Sequence, residues 1–428
     1  MKELEVGPHR QELETSWARK LGPGLITGAA DDDPSGIATY SQAGAQFGFG
    51  LLWMIVLTYP LMVSIQLVSA RIGRVTGHGL ATNIREYYPR WLLYAVVTLL
   101  LVANTINIAA DVSAMGDALT LLVGGPAKAY TVAFGLISVL LQVFVPYHRY
   151  VRVLKWLTLA LLAYVGVVFA VHIPWAKMLW ATVWPQVTPS REYVTTLVAV
   201  FGTTISPYLF FWQASEEVED LRATPGAQPL IRDPSQAPAN LRRIKVDTLV
   251  GMGFSNLIAF FILLTTAVTL NVQGVTDIQT SAQAATALRP VAGDFAFVLF
   301  GLGIIGTGML AIPVLAASAA YAIAGAFNWR NSLELPAGRA KSFYSIIAIS
   351  TLIGVAMGFL PIDPIRALFW SAVINGVLSV PIMGVMLLMA ANPKIMGAFV
   401  MSKRLRRAGW TTATLMAAAV VVMFATMG

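Results

Sequence analysis

The chain has no cysteine among its 428 residues, which excludes disulfides and thiolate metal ligands alike. Histidine is almost as scarce. Its four copies, His9, His78, His148 and His172, are scattered, and no two stand at the helical spacing of a ligand pair. Charge is also thin, at 12% of residues, against about 25% in soluble domains. No nucleophile–base pair, His/Glu hydrolase motif or phosphate loop is found, so the chain is not read as an enzyme and no cofactor is expected. What is abundant is apolar, at 57% of residues. The apolar runs are continuous and do not alternate as the strands of a membrane barrel would. Runs of about 20 apolar residues span a bilayer as helices, so the fold class is an all-α polytopic membrane protein. The net charge of +8 fits basic loops beside a lipid bilayer, and no nucleic-acid partner is expected. The mixed-charge N-terminus lacks the apolar region of a signal peptide.

Eleven transmembrane helices are expected, at about 18–46 (broken), 48–70, 91–123, 127–145, 153–173, 193–220 (broken), 246–270, 292–326, 343–360, 364–390 and 411–427. With the N-terminus in the cytoplasm, 24 of the 29 Lys and Arg residues fall on inner segments. The outer side keeps Lys128, Lys177, Arg191, Arg289 and Arg366. The C-terminus is then outside, and the expected location is the plasma (inner) membrane. The stretch 221–243, rich in Pro, Ala, Gln and Arg, reads as a mobile cytoplasmic connection. One transport domain covers 1–428, and a monomer is expected. It divides into a cytoplasmic tail (1–17), two repeats (18–190 and 191–391) and an extra span (411–427).

Two of these spans are interrupted at their centres. The first carries Ala30-Asp31-Asp32-Asp33-Pro34-Ser35-Gly36. A charge at a bilayer centre costs about 2.5–3.5 kcal/mol even on lenient scales, and such residues usually face a cavity that handles ions. Pro34 removes a donor and disfavours helix at Asp33. The sixth carries Gly202-Thr203-Thr204-Ile205-Ser206-Pro207-Tyr208. The two stand five places apart in the order of spans, and an odd repeat length inverts the second copy. This pattern points to an inverted 5+5 repeat with a site where the broken helices 1 and 6 meet. Unwinding frees carbonyls that a cation can use. Asp33 offers a carboxylate, Thr203 a carbonyl and Ser206 a hydroxyl, an all-oxygen set suited to hard cations. An amino-acid substrate is disfavoured because Asp33 would repel its carboxylate.

These residues resemble the Nramp family of divalent-metal transporters, built on the LeuT-type fold. GPGLITGAADDDPSGIATYSQAGAQFGFGLLW is similar to the family's first-span block, with its Asp-Pro-Gly-Asn core. GTTISPY is similar to the sixth-span motif that ends in Met-Pro-His, and FGLGIIGTGMLAIPVLAASAAYAIAGAF to the eighth span. The resemblance runs from about 17 to 427. It implies that Asp33 is the metal-binding aspartate. The family's asparagine falls on Gly36, its methionine ligand on Ser206 and its carbonyl-donating alanine on Thr203. Its histidine falls on Tyr208, its third-span acids on Ala110 and Ser113, and its tenth-span glutamine on Ala372. Asp111 lies one position from the first of those acids, and Asn375 one turn beyond Ala372.

The departures bear on the ion. Losing methionine removes the soft ligand that favours Mn²⁺, Fe²⁺ and Cd²⁺. Gly and Ser in place of Asn and Met enlarge the cavity, and Mg²⁺ usually keeps several waters. The pattern resembles the prokaryotic Nramp-related magnesium transporter branch. It implies a uniporter for largely hydrated Mg²⁺, with Mn²⁺ also carried, working by alternating access without obligatory proton coupling. The alternatives are a proton-coupled Mn²⁺/Fe²⁺ transporter with a divergent site, or an Al³⁺ transporter. The metal site is therefore read as Asp33, Gly36, Thr203 and Ser206. Asp31, Asp32, Tyr208, Asp111 and Asn375 are placed on the ion's path or behind the site. Asp31 and Asp32 either attract hydrated cations or cap the broken helix. Ser206 either faces the ion or bonds back to its own helix. Tyr208 is read as packing, Asn104 and Asn107 as interhelical hydrogen bonders, and Glu216, Glu217 and Glu219 as a solvated helix end, the alternative being an inner vestibule that attracts cations.

Overall fold

Both proline-marked interruptions end one helix and start another. In the computed structural model, which describes residues 23–145, 156–188 and 190–427, α1 (Pro23–Asp31) stops two residues short of Pro34 and α2 (Pro34–Phe47) starts on it. Asp33 between them is extended, at φ −73° and ψ 169°, as a residue before proline prefers. Proline at the first helical position loses nothing, because its missing N–H would have been an orphan there. After α3 (Leu52–Thr76), α4 (Arg90–Val123), α5 (Ala127–Phe144) and α6 (Leu162–Ala170), the same grammar recurs. Helix α7 (Arg191–Thr204) ends, Ser206 is extended at φ −77° and ψ 136°, and α8 (Pro207–Ala223) begins on Pro207. The chain continues through α9 (Ala237–Thr269), α10 (Ala296–Phe327), α11 (Lys341–Met357), α12 (Pro364–Ala390) and α13 (Lys403–Met427).

The described residues hold helices and no strand. Helix occurs at each of the eleven expected places. Among the described residues, eight stretches are long and apolar enough to cross a membrane; Pro34–Thr76, one of them, joins the second half of span one to span two. Leu159–Ala170 and Lys341–Met357, at the fifth and ninth places, are shorter apolar helices. The expected tail 1–17, the start of span one, and Arg149, Arg152 and Lys155 lie outside the described residues. The last helix starts earlier than the expected 411, so the basic tract Lys403–Arg407 is its first turn and not a loop.

The expected mobile connection over 221–243 is corrected. Leu230 is fully buried, and the N–H groups of Leu230 and Ile231 donate to the carbonyls of Arg74 and Val75 at 3.3 and 3.2 Å. Those carbonyls lie in the last turn of α3 and have no partner within their own helix, so the segment supplies one. Loops rich in basic residues gather at this end. Arg85 donates to the Gly325 carbonyl at 3.1 Å and Arg222 to that of Asn331 at 2.8 Å. At the opposite end the segment after α9 is strapped across α2. Gln42 donates to the Thr276 carbonyl at 3.0 Å and accepts from Ile278 N–H at 2.9 Å.

Small residues let the broken helices lie against continuous ones. A methyl on Gly28 of α1 would fall on the Gly251 backbone of α9, and one on Gly202 of α7 on the backbone of Ala372 and Gly376 of α12. With no side chain between them, the half-helices seat backbone to backbone, as small residues permit within membranes. Ala372 is accordingly a packing residue, its carbonyl turned to Gly202.

Candidate functional site

Asp33 sits at the first break with its carboxylate fully engaged. Oδ1 accepts from Ser35 Oγ at 2.7 Å and from Gly36 N–H at 2.8 Å, so Asp33 caps α2. Oδ2 accepts from Asn107 Nδ2 of α4 at 3.2 Å and from the Tyr208 hydroxyl of α8 at 3.3 Å. Tyr208 also reaches the Ala30 carbonyl at 3.1 Å. It is therefore more than packing. It joins the second broken helix to both sides of the first break.

Gly36 faces the second break. A Cβ on it would stand 3.1 Å from Thr203 Oγ1 and 3.4 Å from the Tyr40 ring. Its backbone is ordinary helix, so glycine here permits the close approach of the second break and is not needed for torsional freedom. Ser206 back-bonds. Its hydroxyl lies 2.7 Å from the Gly202 carbonyl and 3.0 Å from that of Thr203, leaving the oxygen's lone pairs as its remaining ligating capacity. Asp33 thus caps the helix that follows its break, whereas Ser206 bonds into the helix that precedes its own. The Ile205 carbonyl accepts from Ser379 of α12 at 2.7 Å.

Asp31 and Asp32 are held from α9 by one hydroxyl. Ser255 Oγ lies 2.5 Å from Asp31 Oδ2 and 3.0 Å from Asp32 Oδ1. Asp31 Oδ1 is buried without a partner. Further along α4, Asp111 is buried with both carboxylate oxygens unpartnered, and on α12 the whole Asn375 amide is buried and unpartnered. Asp31, Asp32, Asp33 and Asp111 are all at most 5% exposed, and among the described residues no Lys, Arg or His stands within ion-pair distance of any of them. Nor do three His, Cys, Asp or Glu side chains converge on one point. Any cation held here would rest on a mixed set of carboxylate, carbonyl, hydroxyl, amide and water oxygens, a set for hard ions.

Three contributors were not legible as site residues. Asn107, read as an interhelical hydrogen bonder, holds Asp33; its place one turn before Asp111 on the same face is the signal that links it to the acids. Asn104 does bond between helices, to the Leu315 carbonyl at 2.8 Å and to Ser318 Oγ at 2.7 Å. Ser255 and Ser379 come from apolar helices where a lone serine carries no signal.

The reading as a solvated helix end is corrected for Glu217 and Glu219. Glu217 is fully buried and ion-paired with Arg243 at 2.5 Å, while Asp220, in the same turn of α8, pairs with buried Arg74 of α3 at 2.8 Å. Asp247 of α9 accepts the Gly24 N–H at the start of α1 at 2.7 Å. Glu219 is bonded by Ser332 at 2.6 Å and Tyr321 at 3.2 Å. This end of both half-helices is therefore locked by charge. At the other end a cavity of about 340 Å³, lined by Gln42, Arg191, Thr195, Asp277 and Trp370 among others, has no wall residue from the first break.

Comparison with known proteins gives the same picture. The family model described as natural resistance-associated macrophage protein-like, Nramp, matches residues 24–426. A manganese transporter of Eremococcus coleocola, solved as a His-to-Ala mutant, is similar in structure with a TM-score of 0.73 at 17% identity, covering 96% of this chain and 87% of that one. Mhp1, a nucleobase-cation-symport-1 family transporter, superposes at a TM-score of 0.58 and 15% identity, covering 95% and 92%. MhsT, solved with L-phenylalanine, does so at 0.58 and 13%, covering 94% and 98%. At these identities the likenesses establish the fold, the LeuT-type arrangement with helices 1 and 6 broken.

Proposed function

The chain belongs to the Nramp family of metal transporters, and on that premise we propose that it carries divalent cations across the membrane, Mg²⁺ foremost and Mn²⁺ as well. One observation supports this best: Asp31, Asp32 and Asp33 at the first break, where the second broken helix reaches it through Tyr208, are buried with no basic partner. Uncompensated charge in a bilayer core is costly, and a dication offsets it. The hard-ion preference is supported by the donors, which are oxygen throughout, while Gly36 lets Thr203 of the second break come close to the first. Asp33 holds the ion, with Thr203 and Ser206 offering oxygens from the second break.

Transport is by alternating access of two inverted repeats, 18–190 and 191–391, in a monomer whose N-terminus is cytoplasmic and whose C-terminus is outside. The Arg243–Glu217 and Arg74–Asp220 pairs then close the cytoplasmic side. Purified protein in liposomes loaded with a Mg²⁺-sensitive dye should take up Mg²⁺, and Mg²⁺ should compete with Mn²⁺ uptake. Asp33→Ala should abolish both. Near-normal flux in that variant would remove Asp33 from the site. A proton-coupled transition-metal carrier is the second reading, in view of the manganese transporter's similarity. Strong Cd²⁺ uptake with acidification of the vesicle lumen would select it.

A further inference from the structure

Asp111 is the buried group that the site as described leaves unused. It has no exposed surface, and neither carboxylate oxygen has a hydrogen-bond partner. A structural acid in an apolar core is normally hydrogen-bonded, because an unpaired polar group there costs several kcal/mol, roughly 2–7 by transfer scales. Asp111 stands one helical turn beyond Asn107 on the same face of α4, a spacing that puts Cβ atoms about 5–6 Å apart. Asn107 spends its Nδ2 on Asp33 and keeps its Oδ1 free of any partner. The face of α4 that carries Asp111 is thus the one that meets the first break, through Asn107 at 3.2 Å from Asp33.

We propose that Asp111 is a second carboxylate of the ion site, taking the transported dication through its water shell opposite Asp33, with Asn107 Oδ1 facing the space between them. This rests on the reading of Asp33 as the ion-binding carboxylate. The argument is one of charge and of length. A dication in the bilayer core is offset by each carboxylate that faces it, and Asp111 adds one from α4 to those of the first break. Water stands about 2.1 Å from Mg²⁺, and a carboxylate accepts from that water at about 2.7 Å, so a hydrated ion reaches a carboxylate nearly a helical turn away. The two free oxygens of Asp111 and that of Asn107 suit such waters, which donate and do not accept at an ion's surface.

The test uses the full chain in liposomes and in detergent, with Mg²⁺ and Mn²⁺ as probes and Asp111→Asn, Asp111→Glu and Asp33→Ala as variants. Asp111→Asn should raise the Mg²⁺ KM by about tenfold or more and the Mn²⁺ KM less, while Asp111→Glu restores most of the loss. Direct Mn²⁺ binding, read by electron paramagnetic resonance on purified protein, should weaken in parallel, and thermal unfolding separates this from loss of fold. An unchanged KM for both ions in Asp111→Asn overturns the proposal. So does an unchanged KM with only the pH dependence altered, which assigns Asp111 to proton transfer. If Asp33→Ala binds Mn²⁺ normally, the reading of Asp33 has failed; if Asp33→Ala loses binding and Asp111→Asn keeps it, the Asp111 proposal alone has failed.

Discussion

At the scale of single residues, the first break shows how one carboxylate serves two ends. Asp33 caps α2 through Oδ1 and faces α4 and α8 through Oδ2. The cap holds the carboxylate in place before any ion arrives, so little side-chain entropy remains to be lost on binding. Gly36 sets the width of the site. In Gly36→Asn the new Cβ would stand 3.1 Å from Thr203 Oγ1, and the amide would narrow the gap between the two breaks. Mg²⁺, which dehydrates reluctantly, should then lose about tenfold in uptake while Mn²⁺ loses less. Parallel uptake assays of the two ions check this, and equal losses for both would refute the role given to Gly36.

At the scale of elements, the half-helices are held by backbone contact along their length and by ion pairs at one end. Arg243 of α9 is the hydrogen-bonded ion-pair partner of fully buried Glu217 of α8, whose Oε1 is already without a partner. Arg243→Ala leaves that carboxylate buried and alone, a change of about 3–5 kcal/mol where such pairs have been broken. Arg222→Ala should cost less, about 1 kcal/mol at most, because Glu219 keeps the Ser332 and Tyr321 hydroxyls and Arg222 is half-exposed. Thermal or denaturant unfolding in one detergent ranks the two; equal loss, or the reverse order, would show that the Arg243 pair is not what holds α8 against α9. The same logic explains why the loop over 221–243 is not loose. The N–H groups of Leu230 and Ile231 have partners waiting at the end of α3, and Arg243 has one in Glu217 of α8.

At the scale of the whole molecule, the proposal is of a carrier that works without a proton. A divalent ion gains about 4.6 kcal/mol per 100 mV of inside-negative potential, twice the single-charge figure. Liposomes polarised with potassium and valinomycin should take up Mg²⁺ faster as the interior becomes more negative, with no acidification reported by a lumenal pH dye. Uptake that ran only with a pH gradient would contradict this. What the sequence determined by itself were the elements whose cause is local. Apolar runs of membrane length place the helices, and Asp33-Pro34 and Ser206-Pro207 place both breaks to within a residue or two, because a proline restricts the residue before it whatever surrounds it. What only the tertiary structure decided were partnerships between distant segments. Ser255 meets Asp31 and Asp32 across 224 and 223 positions, Asn107 meets Asp33 across 74, and Ser379 meets the Ile205 carbonyl across 174. A lone hydroxyl or amide in an apolar helix has no periodicity to betray it. Its meaning comes from the helix packed against it, and that is set by the close approach of small residues such as Gly28 and Gly202 to neighbours far along the chain.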